Sequence, residues 1–228
     1  MYTSMGGWII FGVIALVSWL VQLNLTRKFE KYSKVAIASG LTGAQVAEKM
    51  LKENGLYDVS VTHVSGTLTD HYNPATKTVN LSDEVYSSYS VAAAAVAAHE
   101  CGHAVQHARA YAPLQLRSAL VPAVSFSSKY VSWILLAGML LINIFPYLLL
   151  LGIVMFAMTT IFSFVTLPVE IDASRRATLW LQEAGITSPT EHPMAVSALR
   201  SAAYTYVSAA LGSLATLFYY LMIFLDRR

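Results

Sequence analysis

Hydrophobic and polar positions divide this chain into long apolar runs separated by two mixed stretches. The first run, about Gly6 to Asn24, is long enough to cross ~30 Å of hydrocarbon, and Trp8 and Trp19 suit its interfaces. No positive side chain precedes it and no small-residue cleavage site is obvious, so it is expected to be a permanent anchor rather than a cleaved leader. Ala119 to Leu167 is apolar except for Lys129 and predicts a helical hairpin turning at Asn143-Ile144-Phe145-Pro146. Lys129 is expected to snorkel near an interface, and 118–128 to be interfacial or an extension of the span. A last span is predicted from about Ala203 to Leu225. On it Ser208, Gly212 and Thr216 form a small-xxx-small stripe, expected to pack against a helix of the same chain.

The mixed stretches have a different rhythm. Residues 35–117 predict a small α/β region. Thr42-Gly43-Ala44-Gln45 has the form of a capping box, opening a helix that ends near Gly55. Tyr57 to Thr62 alternates as a strand does, Lys77 to Leu81 predicts a second strand, and Asn73-Pro74-Ala75 supplies a turn between them. An alanine-rich helix is predicted from Ser90, a suitable N-cap, to Ala108, with Pro113 closing the region. Pro168 to Gly185 returns to polar, helix-like sequence, with Pro168 suited to the first turn of a new helix.

Composition supports the apolar reading. Of 228 residues, 56% are hydrophobic and 12% charged, against about 25% charged in a typical soluble domain. The net charge of +2 gives no case for nucleic acid. Cys101 is the single cysteine, so no intrachain disulfide forms, which fits a cytosolic location. Arg27, Lys28, Lys31 and Lys34 follow the first run at once. By the positive-inside tendency, residue 25 onward is cytoplasmic. Four spans then bring 168–202 to the same side as 25–117 and leave Arg227 and Arg228 outside, against that tendency.

The chemistry concentrates in His99-Glu100-Cys101-Gly102-His103. Two histidines four residues apart on a helix share one face, close enough to hold one tetrahedral zinc. Glu100 beside them can act as general base on a zinc-activated water and later protonate the leaving amine. Chance would produce a His-Glu-x-x-His match in such a chain on the order of once in two hundred. A third ligand is needed. The position ten residues after His99 is Arg109, and His107 lies a further turn along the same helix, too far to close a tetrahedron, so it is expected nearby or on the surface. Glu170 is the better candidate, because topology brings it to the same membrane face and the start of a helix favours a carboxylate. Tyr204, Tyr206, Arg200, Arg175, Arg176 and His192 all suit an oxyanion donor by type. The edge of the 77–81 strand is expected to be available to an extended peptide.

His-Glu-Cys-Gly-His-Ala-Val-Gln-His at 99–107, Tyr-Ala-Pro-Leu-Gln-Leu-Arg-Ser-Ala-Leu-Val-Pro at 111–122, Pro-Val-Glu-Ile-Asp-Ala-Ser-Arg-Arg-Ala at 168–177 and Ala-Tyr-Thr-Tyr-Val at 203–207 occur in that order. In these segments the chain resembles the YugP-like neutral zinc metallopeptidases of bacterial membranes. The resemblance runs from about 60 to 210. It implies a membrane gluzincin with His99, His103 and Glu170 as zinc ligands and Glu100 as base. Better-studied membrane gluzincins carry Glu-x-x-x-Asp at the third ligand. Here Ser174 stands at the fourth position after Glu170 and the acid is Asp172, which on a regular helix points away from Glu170.

The expected fold is a mainly α membrane protein of about four transmembrane helices, with a small α/β zincin-like cytoplasmic domain carrying the His-Glu-x-x-His helix. Its parts are an anchor (1–24), the zincin-like domain (25–117), a transmembrane hairpin (118–167), a cytoplasmic segment with the third ligand (168–202), and a transmembrane helix with the C-terminus (203–228). The expected function is zinc-dependent endopeptidase activity, with one catalytic Zn²⁺, at the cytoplasmic face of the cell membrane. Its substrates would be polypeptides or membrane proteins near the lipid bilayer. A homo-oligomer or a regulatory membrane partner is left open. The alternative is a non-proteolytic scaffold or chaperone-like membrane protein with a structural zinc, which would need four protein ligands. A transporter would need ionisable residues within its spans, and Lys129 alone comes near.

Overall fold

The computed structural model describes residues 2–226. Arg227 and Arg228, expected outside the membrane, lie beyond the described residues. The elements are α1 (Tyr2–Ser33), α2 (Gly43–Glu53), β1 (Ser60–Val64), β2 (His71–Asn73), β3 (Thr78–Ser82), α3 (Asp83–Tyr86), α4 (Val91–Ala108), α5 (Ala112–Leu140), α6 (Tyr147–Glu183) and α7 (His192–Asp226). By length and composition, four helices can cross a membrane: Gly7–Ser33 of α1, then α5, α6 and α7. Each exceeds the ~20 residues that a span needs.

The chain divides into two compact units. One is apolar and comprises the chain up to Val21, Leu116–Leu167, and the chain from Thr205. Within it α5 and α6 join through the turn 141–146, where the hairpin was expected. Val131, Leu135, Leu149, Ile153 and Met155 form its buried cluster. Gly138 lets these helices touch: a Cβ there would lie 2.5 Å from Leu149 Cα. The small-residue stripe packs within the chain. Ser208 Oγ is 3.1 Å from Ser18 Oγ, and a Cβ on Gly212 would meet Ile14 Cγ2 at 3.1 Å. Lys129 is exposed, its ammonium 5.4 Å from the Tyr130 ring centroid.

The other unit comprises Gln22–Gln115 and Pro168–Tyr204. α2 begins on a complete capping box: Thr42 Oγ1 accepts from Gln45 N at 3.3 Å, and Gln45 Oε1 accepts from Thr42 N at 2.9 Å. Gly55, at φ +75°, takes the left-handed turn after it. Val46, Ala47, Met50 and Leu51 of α2 meet Val79 and Leu81 of β3 and the alanines of α4 in one core. Small side chains along α4 allow neighbours to approach its backbone on several sides.

Three expectations need correction here. First, the sheet has three strands in the order β1-β3-β2, with β1 parallel and β2 antiparallel to β3. The 77–81 segment is therefore central, with both edges paired, and offers no edge to a peptide. Residues Val79 to Ser82 are all buried, as suits a strand covered on both faces. The outer edge near α4 belongs to β2, whose Tyr72 amide Glu100 engages; the hydrophobic pattern did not predict this strand because three residues cannot display a period. Second, Asn73-Pro74-Ala75 turns β2 into β3, with Asn73 Oδ1 accepting from Ala75 N at 2.9 Å, and β1 starts only at Ser60. Third, Pro168 opens no new helix. α6 runs through it, so Glu170 is mid-helix and gains nothing from a helix N-terminus. An interior proline costs ~3 kcal/mol or more. Offsetting it, Val169, Ala173, Ala177 and Leu181 make a fully buried stripe, and burying a Val or Leu side chain contributes roughly 1.5–3 kcal/mol. Pro113 likewise opens α5 more than it closes α4. α4 ends at Arg109, followed by Ala110 at φ +50°.

Candidate metal centre

α4 sets the geometry. Ser90 caps it, accepting from Ala93 N at 3.2 Å, and the regular helix behind that cap puts His99 and His103 on one face with ring centroids 4.8 Å apart. Glu170 of α6 faces them. Its Oε2 lies 3.3 Å from His99 Nε2 and 3.6 Å from His103 Nε2, and one donor atom from each residue falls within 4.8 Å of the others. Gly102 makes the approach possible. A Cβ there would lie 2.7 Å from Ala173 O and 3.1 Å from Ala173 Cα, so any side chain would force α4 and this part of α6 apart.

The trio suits a divalent metal. Glu170 Oε2 is buried and makes no hydrogen bond, a condition that normally costs about 1–3 kcal/mol and more for a charged group. Each imidazole spends its other nitrogen elsewhere: His99 Nδ1 is 3.1 Å from Ser174 Oγ, and His103 Nδ1 is 3.1 Å from Gln106 Oε1. The carboxylate oxygen without a hydrogen bond therefore faces the ring nitrogens that Ser174 and Gln106 do not engage. Two imidazole nitrogens and one carboxylate oxygen form a donor set of the kind that zinc accepts.

Electrostatics fit the same picture. In the metal-free protein, burial alone would lower the His103 pKa, but the facing Glu170 carboxylate and the charge of Glu100 outweigh it and raise the value above 6.5. Glu100 is buried, and its Oε2 accepts a hydrogen bond from Tyr72 N of β2 at 3.0 Å. Cys101, inside the same five residues, is fully buried with Sγ 3.6 Å from Ala47 O. Burial, with Glu100 next to it, pushes its thiol well above its ordinary pKa, so it stays protonated and outside the donor cluster.

The other sequence candidates are exposed or half-buried. His107 is exposed, and its Nδ1 lies 3.2 Å from the Tyr72 hydroxyl. Arg176 Nε donates to Asp172 Oδ2 at 2.6 Å, and its guanidinium sits 5.8 Å from the Tyr111 ring centroid. His192 Nδ1 is 3.3 Å from Thr187 Oγ1. Arg175, Arg200, Tyr204 and Tyr206 are exposed. Sequence reasoning missed Gln106 as a contact of His103, the Tyr72 amide as a contact of Glu100, and Gly102 as the point of helix contact. Gln106 lies three residues after His103, a helical neighbour spacing, and that was the available signal.

Two histidines one turn apart and a facing carboxylate give a metal-compatible centre, in a chain whose described residues include four helices long and apolar enough to cross a membrane. The comparisons give the family: the model of the family described as "Putative neutral zinc metallopeptidase" matches residues 7–225. The chain belongs to that family. It is 45% identical over 212 residues, 93% of this chain and 93% of the relative, to the "Putative membrane protease YugP" of Bacillus subtilis (strain 168). No solved structure matches it.

Proposed function

We propose that this protein is a zinc-dependent membrane endopeptidase of the gluzincin kind, with His99, His103 and Glu170 as ligands and Glu100 as general base. The observation that carries the reading is the partnerless carboxylate oxygen of Glu170 set against two imidazole nitrogens. A zinc ion there would supply Lewis acidity toward a peptide carbonyl and acidify a coordinated water. Glu100 follows His99 on the same helix and takes a proton on its carboxylate, later returning it to the leaving amine. The Tyr72 amide holds one Glu100 oxygen at 3.0 Å and so orients the carboxylate. The sheet beside the α4 helix supports a zincin-like domain.

The basic residues Arg27, Lys28, Lys31 and Lys34 support a cytoplasmic site and substrates that are polypeptides close to the bilayer. A structural zinc in a scaffold would need a fourth protein ligand, whereas the donor cluster among the described residues has three. The test is to purify wild type and Glu100→Gln, measure zinc, and supply both with unfolded and membrane-protein substrates. Zinc in both with cleavage by wild type alone is the expected result. Zinc-free wild type, or an active Glu100→Gln, overturns the reading.

A further inference from the structure

Gln106 is fully buried, three residues beyond His103. Its Nε2 lies 2.8 Å from Val169 O and 2.8 Å from Asp172 Oδ2. A carbonyl and a carboxylate only accept, so both amide hydrogens are committed to them and the amide cannot be flipped without losing both bonds. The atom 3.1 Å from His103 Nδ1 is then the amide oxygen, also an acceptor. In the neutral ring this acceptor favours a proton on His103 Nδ1, which leaves the Nε2 lone pair on the Glu170 side, 3.6 Å from Oε2. His99 has no such constraint, because its Nδ1 faces the Ser174 hydroxyl, which donates or accepts equally well. Arg176 Nε completes the chain by donating to the same Asp172 oxygen at 2.6 Å.

We infer that Gln106 is a positioning residue that fixes the tautomer of His103, held in orientation by Asp172 and Arg176. The inference rests on the metal reading of His103 for its purpose, but not for its detection. Asp172 thereby acts on the centre through the amide. Ser174, at the position where an aspartate was expected, holds the other histidine without dictating its proton.

The test uses the full-length protein in detergent. In zinc-free samples labelled with ¹⁵N histidine, at a pH where the ring is neutral, the His103 nitrogens report the tautomer directly, the signal being assigned by its loss in His103→Asn. Wild type should carry the proton on Nδ1. Gln106→Leu removes the acceptor. Asp172→Asn, at a half-buried position and better able to fold, offers the amide a donor as well as an acceptor and so weakens the hold on its orientation, which Val169 O alone then favours. Both variants should populate the Nε2–H form, and zinc affinity by chelator competition should weaken roughly 10- to 100-fold, the range for outer-shell partners of a metal ligand. Ser174→Ala should leave the His103 tautomer unchanged. A wild-type tautomer in folded Asp172→Asn, or an equal shift in Ser174→Ala, overturns the inference. A residue that only supports packing would lower Tm without moving the tautomer. If wild type binds no zinc, the peptidase reading fails while the tautomer measurement still decides the role of Gln106.

Discussion

α6 is met closely by a glycine twice, once in each unit, and the two contacts serve different ends. In the apolar unit Gly138 of α5 lies against Leu149, among Val131, Leu135, Ile153 and Met155. In the other unit Gly102 of α4 lies against Ala173, and His99, His103, Glu170 and Gln106 surround the contact. Close backbone approach in apolar surroundings yields packing, as is general for helices in membranes. The same approach with polar side chains one turn to either side brings donor atoms together. What distinguishes a packing contact from a candidate site here is the residues flanking the glycine.

Four experiments act on that contrast. Glu170→Gln has the largest expected effect: zinc affinity should fall by more than about 100-fold, beyond the outer-shell range, as read by chelator competition. Gly102→Val and Gly138→Val come next. Each overpacks a helix contact, at roughly 1–3 kcal/mol, visible as a lower Tm. Only Gly102→Val should also weaken zinc; equal zinc affinity in the two variants would erase the distinction between the contacts.

The third is pH. The folded, metal-free protein raises the His103 pKa above 6.5, so its protonated form stabilises that state. The stabilisation is complete below 6.5 and lost as pH rises through the folded value. Zinc needs the neutral ring and runs the other way. Affinity should start to fall at a pH above 6.5 as the medium is acidified, in a titration of bound zinc against pH. The smallest effect is expected from Ser90→Ala, a lost N-cap costing about 1 kcal/mol, which should lower Tm while zinc affinity stays within a fewfold of wild type.

Features with a long repeat or a fixed spacing were legible in the sequence. The four apolar helices, the Thr42 capping box and the extent of α4 from its Ser90 cap follow from composition, period and cap chemistry. The adjacency of the His99 and His103 rings follows from helical spacing alone. What escaped depends on tertiary packing. β2 has three residues and exists because β3 and Glu100 use its backbone. The passage of α6 through Pro168 depends on the buried stripe Val169, Ala173, Ala177 and Leu181, which outweighs the local signal of a proline. The pairing of Gln106 with Asp172 joins residues 66 positions apart, and one sequence does not reveal which acceptor a buried amide will find.

The burial of Cys101 has a consequence for oxidative chemistry. Peroxides attack the thiolate and need access to sulfur, and this sulfur is neither ionised nor exposed. The single thiol in the chain thus sits between Glu100 and Gly102 without becoming a redox handle on them. In the folded protein it should resist peroxide and alkylating reagents alike, and its modification would report unfolding rather than oxidant signalling.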